Sequence, residues 1–313
     1  MPKNPLGRTP RFYNAGSVPD PVGWLQRAID GKLEVLSSTL HSRLPKNGRN
    51  ESFTPIRYYH GSVRVRGLLV DLDGTLYTND GPVRGANEAL KRLDRAGIDL
   101  RFVTNATHKP RREIAAHLEN LGFLAKESHI FTPATAVAER LRVEGVGCFP
   151  LLDEVLLEDL EGVTITDDTP AYVLVGNLGA GFTYERLDAA FRHLMAGADL
   201  IALSKNRYWQ MAGGEFSLDT GPFVAALEYA SNKSATVVGK PAMSFFRLAL
   251  EDLELPSREV AMVGDDAEAD VAGAQAAGLR GIQVRTGKYR PEAEGTPDLT
   301  LESIAALPEA LGI

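Results

Sequence analysis

Two aspartates, Asp71 and Asp73, follow directly on the apolar run 68–70 of the sequence. Carboxylates this close together repel each other and lose hydration at the end of a buried strand, so a cation, hydrogen-bond donors or shifted pKa values must compensate them. A bound Mg²⁺ is the simplest compensation, because this ion prefers oxygen ligands. Residues two apart on a regular strand share a face, and Gly74 would let the backbone turn sharply and approach a ligand.

Three further groups of polar residues each stand at the end of a short hydrophobic run. They are Thr104 and Asn105 after residues 100–103, Lys240 after residues 237–239, and Asp265, Asp266 and Asp270 after residues 260–264. A hydroxyl, a lysine and several carboxylates together suit a phosphate group and Mg²⁺. A site of this kind requires that the fold bring these distant segments together.

Helical stretches separate the hydrophobic runs and predict how the runs are arranged. Residues 86–96 and 110–121 place apolar side chains at helical spacing, and a glycine follows each stretch as a stop signal. Strands that alternate with helices and right-handed crossovers form a parallel sheet, whose carboxyl ends share one edge. The pattern therefore predicts an α/β fold with a doubly wound, Rossmann-like parallel sheet and a ligand site at that edge. The residues expected to meet there are Asp71, Thr104, Lys240 and Asp265.

The motif Asp-x-Asp-Gly-Thr at residues 71–75, and the order of the groups after it, resemble the haloacid dehalogenase-like (HAD-like) hydrolase superfamily. In that superfamily an insertion between the second and third motifs is a C2-type cap domain. The chain is thus similar to subfamily IIA, the p-nitrophenylphosphatase-like enzymes. Residues 221–230, 238–241 and 286–289 are also similar to the phospholysine phosphohistidine inorganic pyrophosphate phosphatases and to related HAD-like hydrolase domain-containing proteins.

The resemblance implies a catalytic role for three aspartates. Asp71 would be the nucleophile that forms an aspartyl phosphate, and Asp73 would protonate the leaving group and later deprotonate water. Mg²⁺ would be held by Asp71, the Asp73 carbonyl and Asp265. Proteins of the phospholysine phosphohistidine type often carry Ser or Asn at the position of Asp73. The aspartate here completes the acid/base capacity and brings phosphomonoesters with poor leaving groups within reach.

The remaining motif residues would bind phosphate or support those that do. Thr104 and Lys240 would contact the non-bridging oxygens with assistance from Asn105, and Gly74 would let the backbone approach the substrate. Asp266 and Asp270 would orient Lys240 or metal-bound water. In the inserted segment, Asn177 and Arg207 lie in candidate substrate-binding loops, and an ordinary turn is the alternative interpretation of these loops.

The same pattern predicts the division of the chain into domains. Residues 61–132 and 233–313 would form the HAD-like catalytic core, and residues 133–232 the C2 cap domain. Residues 1–60 would form an N-terminal extension that is partly disordered and contains one amphipathic helix. The apolar stripe of that helix would comprise Leu25, Ile29, Leu33, Leu36 and Leu40. A homodimer formed through the cap is a further expectation.

Composition limits the partners and the compartment. The 313 residues carry a net charge of −7, which argues against nucleic-acid binding by the body of the protein. No apolar run approaches the roughly 20 residues that a membrane span requires. Cys148 is the only cysteine, which fits a reducing compartment and a cytoplasmic location. The first 60 residues carry a charge of +5, so a targeting or partner-binding role for them stays open as an alternative.

The function predicted from the sequence is a Mg²⁺-dependent phosphatase acting on a small phosphorylated molecule. A phosphomonoester is expected, with pyrophosphate and P–N phosphoramidates as further candidates. One alternative is a phosphorylatable signalling domain of the receiver type, but that type has its acidic pair and its phosphorylated aspartate on different strands and has no inserted cap. The other alternative is a non-catalytic binding or scaffolding protein on a HAD-like fold, which an assay of phosphate release would identify.

Overall fold

The computed structural model describes residues 64–210, 215–291 and 295–313. These residues belong to one structural unit, Gly61–Ile313. The amphipathic helix predicted in the N-terminal extension lies outside the described residues. None of the helices in the described part of the chain combines the length and the apolar character needed to cross a membrane.

The secondary structure alternates between strands and helices along most of the chain. The strands are β1 (Gly67–Asp71), β2 (Tyr77–Thr78), β3 (Gly81–Pro82), β4 (Asp99–Val103), β5 (Ile130–Phe131), β6 (Gly147–Leu151), β7 (Thr164–Ile165), β8 (Tyr172–Val175), β9 (Asp199–Ala202), β10 (Tyr208–Gln210), β11 (Phe216–Leu218), β12 (Thr236–Val237), β13 (Val260–Gly264), β14 (Arg280–Val284) and β15 (Leu299–Leu301). The α-helices are α1 (Ala86–Arg95), α2 (Arg111–Asn120), α3 (Pro133–Glu144), α4 (Tyr184–Ala196), α5 (Gly221–Ser231), α6 (Met243–Leu253), α7 (Gly273–Ala276) and α8 (Leu307–Ala310), and a π-helix (Ala267–Ala272) precedes α7.

The first sheet has six strands in the order β15-β14-β13-β1-β4-β5, and every neighbouring pair is parallel. The chain enters at β1 in the middle, adds β4 and β5 on one side, and later adds β13, β14 and β15 on the other. The change of direction beside β1 is the topological switch point of a doubly wound sheet. The α/β, Rossmann-like fold predicted from the sequence is confirmed.

Apolar clusters cover both faces of β1. Leu68 and Val70 point to one face and contribute to a cluster that includes side chains of α1 and α2. Leu69 points to the other face and joins a cluster that includes side chains of α3 and α6. Because both faces are covered, the whole strand is buried, and so is Asp71 at its carboxyl end.

The second sheet is inserted between β5 and β13. It has five parallel strands in the order β12-β9-β8-β6-β7, which confirms that the insertion is of the α/β type. Its own apolar cluster joins Val173 and Val175 of β8 to Leu194 of α4 and Leu227 of α5. The domain boundaries predicted from the sequence stay predictions, although this sheet continues to Val237, beyond residue 232.

The strand before Lys240 corrects one expectation. The sequence pattern placed residues 237–239 in the same sheet as β1, so that Lys240 would follow a core strand. That expectation is wrong, because Thr236 and Val237 pair with Ile201 and Ala202 of β9 in the second sheet. Lys240 instead lies in the segment that leads from the second sheet back to α6.

An aspartate in the insertion caps the N-terminus of α2, a helix that packs on the first sheet. The α2 helix begins after Pro110, which offers no side-chain cap of its own. Asp159 fills that place: the Arg111 backbone N–H donates to Asp159 Oδ2 at 3.1 Å and the Arg111 Nε donates to Asp159 Oδ1 at 3.3 Å. A carboxylate at a helix N-terminus satisfies free N–H groups and complements the helix dipole. Asp159 is 3% exposed, so this contact is a buried one.

Removal of the Asp159 carboxylate tests how much the contact between Asp159 and Arg111 stabilises the folded protein. We expect Asp159→Ala to lower the free energy of unfolding by about 2–3 kcal/mol, because the Arg111 N–H and guanidinium then lose a buried partner. The neighbouring pair Arg112–Glu158 is largely exposed, so Glu158→Ala should cost about 0.5 kcal/mol or less. Urea unfolding of both variants makes the comparison, and equal losses would contradict the assigned role of Asp159.

Candidate active site

The register of the first sheet brings three of the four motifs to one edge. Asp71, the last residue of β1, pairs with Val103 at the end of β4, and Val70 pairs with Val263 of β13. Thr104 and Asp265 therefore follow their strands beside Asp71. Both are buried, at 3% and 2% exposed. The convergence expected from parallel strands is present for these three residues.

A buried lysine joins two of the aspartates. The Lys240 Nζ donates to Asp270 Oδ1 at 2.7 Å and also forms a hydrogen bond and ion pair with Asp71 Oδ1. Burial opposes the charged form of Lys240, but the charges of Asp270 and Asp71 outweigh it and raise the pKa of the ammonium group above its usual range. For the two aspartates burial is the larger effect. It raises the pKa of Asp270 to about 6 and also raises that of Asp71, although the attraction of Lys240 opposes both rises.

Asn105 fixes the backbone that carries this lysine. The Lys240 backbone N–H donates to Asn105 Oδ1 at 2.8 Å, and Asn105 Nδ2 donates to the Lys240 carbonyl at 2.7 Å. These two hydrogen bonds of the Asn105 side-chain amide connect the loop after β4 with the segment that leaves the second sheet. Lys240 thereby reaches Asp71 without following a strand of the first sheet.

Asp265 lies in a pocket that only glycines can form. A Cβ built on Gly74 would lie 2.1 Å from Asp265 Oδ2, and one built on Gly287 would lie 2.0 Å from the same atom. The Lys288 backbone N–H donates to Asp265 Oδ2 at 2.5 Å. Burial raises the pKa of Asp265, and the Lys288 hydrogen bond opposes that rise. The close backbone on two sides holds the carboxylate in one place.

Asp266 and Asp270 support the site from the π-helix. The Asp266 backbone N–H donates to Asp270 Oδ2 at 3.1 Å, so both oxygens of Asp270 are engaged. Asp266 Oδ1 accepts from Glu268 and Ala269 and caps the π-helix. The structure therefore places Asp270 against Lys240, and it places Asp266 in a capping position.

The donor set fits a divalent cation. One ligand oxygen each of Asp71, Asp265 and Asp270 lie within 4.8 Å of one another, and all three residues are buried. The Lys240 ammonium forms ion pairs with Asp71 and Asp270, and the charge of Lys288 acts on Asp265, so three carboxylates stand against the charges of two lysines. A hard cation such as Mg²⁺ binds oxygen ligands and would neutralise them.

Asp73 and Thr104 flank this cluster in different ways. Asp73 is exposed, in contrast to Asp71, and its carboxylate can face an incoming ligand. The Thr104 Oγ1 accepts a hydrogen bond from the Ala106 backbone N–H at 3.1 Å, which fixes the hydroxyl at the end of β4. Thr75 Oγ1 donates to Asp71 Oδ2 at 3.3 Å and adds a second contact to the buried carboxylate.

The two predicted cap residues follow neighbouring strands of the second sheet. Asn177, after β8, uses its Oδ1 to accept from the Gly179 N–H at 3.1 Å, which is a local turn contact. Arg207, after β9, is exposed, and its carbonyl accepts from the Asp219 N–H at 3.4 Å. Neither side chain is joined to the carboxylate cluster by a hydrogen bond or ion pair within the described ranges. Their proposed contact with substrate stays a prediction.

The pKa of His108 is affected by charges of both the site and the insertion. Burial and the charge of Lys109 lower the pKa of this histidine below its usual value. The charges of Asp73 and Asp219 act in the opposite direction but do not outweigh them. Asp73 belongs to the first sheet and Asp219 to the segment before α5, so His108 lies within electrostatic range of both parts.

Sequence reasoning missed three contributors. Tyr77 forms an isolated β-bridge with Asp73, Gly287 packs on Asp265, and the Lys288 N–H donates to Asp265. The sequence Thr-Gly-Lys at residues 286–288 was the available signal for the last two, because a glycine between polar residues suggests a close approach of the backbone.

Family models and known proteins match this chain over much of its length. Residues 68–166 match the family model described as haloacid dehalogenase-like hydrolase, and residues 237–307 match one described as HAD-hyrolase-like. Haloacid dehalogenase-like hydrolase domain-containing protein 2 of Bos taurus is 44% identical over 243 residues, which are 76% of this chain and 93% of that protein. Phospholysine phosphohistidine inorganic pyrophosphate phosphatase of Danio rerio is 39% identical over 245 residues, which are 76% of this chain and 90% of that protein.

Solved structures with the same fold are similar over most of their length. A 4-nitrophenylphosphatase from Thermotoga maritima has a TM-score of 0.73 and 27% identity, and the match covers 79% of this chain and 97% of that one. NagD from E. coli K-12 has a TM-score of 0.71 and 26% identity, with 78% and 98% covered. Both sheets described above are therefore part of a shared architecture.

The contact between Gly74 and Asp265 can be tested against a matched glycine. Gly74 and Gly81 both have positive φ, at +88° and +111°, but a Cβ at Gly81 would meet nothing within 4 Å. We expect Gly81→Ala to cost about 1–2 kcal/mol of unfolding free energy through backbone strain alone. Gly74→Ala should cost about 1–3 kcal/mol more, because its Cβ overlaps with Asp265. Urea unfolding measures both values, and equal losses would show that Asp265 yields without cost.

Proposed function

Because this chain belongs to the haloacid dehalogenase-like hydrolases and is a phosphatase of that family, we propose that it hydrolyses a small phosphorylated molecule with Mg²⁺ through an aspartyl phosphate. The observation that supports this proposal is the buried arrangement of Asp71, Lys240 and Asp270 beside Asp265 at the sheet edge. In the same family context the inserted second sheet is a C2-type cap.

Asp71 is proposed as the nucleophile. Its carboxylate is fixed by the end of β1, by Thr75 and by Lys240, so one oxygen can be held in line with a bound phosphate. Attack forms a bond from this oxygen to phosphorus as the bond from phosphorus to the leaving oxygen breaks. Water then hydrolyses the aspartyl phosphate, releases phosphate and restores the carboxylate. This route replaces one difficult displacement with two easier ones.

Asp73 is proposed as the general acid and base. Its exposed carboxyl group lies two residues after Asp71, on the side from which a substrate would enter. In the first step it would give its proton to the leaving oxygen, and in the second it would take a proton from the attacking water. A chain that kept the fold for binding alone would have no need of this second carboxylate.

Phosphate binding is assigned to Thr104 and Lys240. The Lys240 ammonium and the Thr104 hydroxyl lie beside Asp71 and would donate to non-bridging oxygens, where negative charge must be stabilised. The side chain of Asn105 is already bonded to the Lys240 backbone at both its oxygen and its nitrogen. Its assistance is therefore proposed to consist of positioning Lys240.

Mg²⁺ would be held by Asp71, the Asp73 carbonyl and Asp265. When bound, it would neutralise the carboxylates and the phosphate oxygens that face each other. Asp270 has both oxygens engaged, by Lys240 and by the Asp266 N–H, which supports a role in orienting Lys240. The backbone at Gly74 and Gly287 approaches Asp265 so closely that a Cβ at either position would overlap its carboxylate.

The cap is proposed to restrict the substrate to small molecules. The charges of both Asp219, in the insertion, and Asp73 act on the pKa of His108, which supports a cap that covers the exposed side of the site. Asn177 and Arg207 are proposed to contact the non-phosphate part of the substrate. The relatives named for pyrophosphate and for nitrophenyl phosphate make both compounds suitable test substrates. A cytoplasmic location and a homodimer through the cap remain predictions.

Substitution of the nucleophile tests the proposal directly. Asp71→Asn should reduce Mg²⁺-dependent phosphate release from p-nitrophenyl phosphate at least about 10³-fold, because an amide oxygen cannot form the aspartyl phosphate. The matched control is Asp80→Asn, which neutralises an exposed aspartate nine residues later and should leave turnover unchanged. Undiminished turnover in Asp71→Asn would refute the assignment.

Removal of the metal tests the cofactor. We expect excess EDTA to stop phosphate release by the wild-type protein and added Mg²⁺ to restore it. Asp265→Asn should need about tenfold or more Mg²⁺ for half-maximal rate, because one carboxylate ligand is lost. Rates measured over a Mg²⁺ titration give both results. Full turnover in excess chelator would exclude a metal role.

A further inference from the structure

The loop that follows β9 lies at the edge of the second sheet from which Lys240 emerges. β9 and β12 are parallel neighbours, and the Val238 N–H donates to the Ala202 carbonyl at 2.9 Å. Lys240 comes two residues after Val238, and the loop 203–207 begins directly after β9. Because loops that follow parallel strands leave a sheet at one edge, this loop begins beside the segment that carries Lys240 to Asp71.

The backbone of this loop is bonded to the start of α5. The Gly221 N–H donates to the Asn206 carbonyl at 2.9 Å, and the Ser204 hydroxyl accepts from the Asn206 N–H at 3.2 Å. A Cβ built on Gly221 would lie 2.5 Å from the carbonyl oxygens of Lys205 and Asn206, so the two segments are in direct contact. Helix α5 therefore supports one side of the loop.

An ion pair adds a side-chain contact between the loop and α5. The Lys205 Nζ donates to Glu228 Oε1 at 3.0 Å and to Glu228 Oε2 at 2.9 Å. Glu228 is fixed in turn, because its Oε1 also accepts from the Ala235 N–H at 2.8 Å. A lysine in a loop near the site of a phosphatase could bind phosphate, but this ammonium group is engaged by both oxygens of one carboxylate. Lys205 therefore anchors the loop to α5.

Arg207, two residues after Lys205, offers a second cation in the same loop. Its side chain is exposed, and no salt bridge engages its guanidinium in the part of the chain that the structure describes. The nearby Asp219 uses its carboxylate to accept from the Thr220 backbone N–H at 2.7 Å. A guanidinium binds carboxylate and phosphate oxygens through two parallel hydrogen bonds. An unpaired guanidinium in this loop therefore suits a substrate that carries a second anionic group.

We propose that the Lys205–Glu228 ion pair positions the loop 203–207 so that Arg207 binds a second anionic group of the substrate. This inference rests on the proposed function, in which Arg207 contacts the non-phosphate part. The substrate class is then a small phosphorylated molecule that also carries a carboxylate or a further phosphate. Without the ion pair the loop keeps its backbone contacts with α5 but loses its side-chain contact, so Arg207 is held less firmly.

Two inhibitors of equal length test whether the site binds a second anion. 3-Phosphonopropionate carries a phosphonate and a carboxylate, and propylphosphonate has a methyl group in place of the carboxylate. Both are measured as competitive inhibitors of p-nitrophenyl phosphate hydrolysis at a fixed concentration of free Mg²⁺. We expect the wild-type protein to bind 3-phosphonopropionate about tenfold more tightly than propylphosphonate, and Arg207→Ala to reduce this ratio to about twofold or less.

Substitutions of the ion pair separate positioning from direct binding. Lys205→Met should reduce the ratio to about threefold, whereas Lys205→Arg keeps a cation for Glu228 and should preserve it. Glu228→Gln keeps an acceptor for the Ala235 N–H but removes the charge that holds Lys205, so the ratio should fall in this variant too. If Lys205 itself bound the second anion, its release from Glu228 would raise the ratio.

A second ion pair of the same sheet provides the matched control. Lys233 pairs with Asp199 at 3.2 Å, and Asp199 begins β9 at the end opposite the loop. Asp199→Asn should therefore leave the ratio unchanged, and a fall of the ratio in this variant as well would overturn the specific role of Lys205. Inhibition by orthophosphate, which has no second group, should stay within about twofold in every variant, and the thermal midpoint reports the fold.

The outcomes separate this inference from the function on which it rests. Equal binding of the two inhibitors by the wild-type protein, or a ratio that Arg207→Ala leaves unchanged, would overturn the role of Arg207. A ratio that rises in Glu228→Gln, or that Lys205→Met leaves unchanged, would overturn the positioning role of the ion pair. Hydrolysis of p-nitrophenyl phosphate that survives Asp71→Asn would instead overturn the proposed function itself. A ratio that falls in Arg207→Ala, Lys205→Met and Glu228→Gln, with orthophosphate inhibition preserved, would establish the inference.

Discussion

The structure depends on one buried ion pair cluster, in which the Lys240 ammonium lies between Asp71 and Asp270. Burying any of these charges alone would be costly, and removing one partner would leave the others uncompensated. The fold accepts them together because strand ends, a π-helix and an amide contact deliver each group from a different part of the chain. The same charges that must be balanced in the folded protein are those that a phosphate and a cation would engage.

Close backbone packing gives this cluster its geometry. Gly74 and Gly287 approach Asp265 from two sides, and a Cβ at Gly264 would lie 2.1 Å from Asp270 Oδ2. A Cβ at any of these points would overlap a carboxylate, so the absence of side chains lets the backbone pack closely against Asp265 and Asp270. Preorganisation of this kind avoids reorganisation at the moment of reaction. The glycines therefore belong to the chemistry of the site although they carry no functional group.

Much of this arrangement could be predicted from sequence, because strand ends of a parallel sheet must share an edge. Asp71, Thr104 and Asp265 were placed correctly on that ground, and the glycine stop signals after residues 96 and 121 matched the ends of α1 and α2. The strand before Lys240 was assigned to the wrong sheet. A strand of two residues has too short a sequence pattern to indicate which sheet it joins. Tyr77 was missed because its position depends on a turn closing in three dimensions.

The two hydrogen bonds between the Asn105 side chain and the Lys240 backbone affect how the second sheet could move relative to the site. Lys240 lies where the chain leaves the second sheet, so this segment is one of the two connections about which that sheet could reorient. Because the amide fixes both the N–H and the carbonyl of Lys240, the segment can act as a pivot whose own position does not shift. Lys240 would then keep its ammonium group beside Asp71 whatever the orientation of the second sheet.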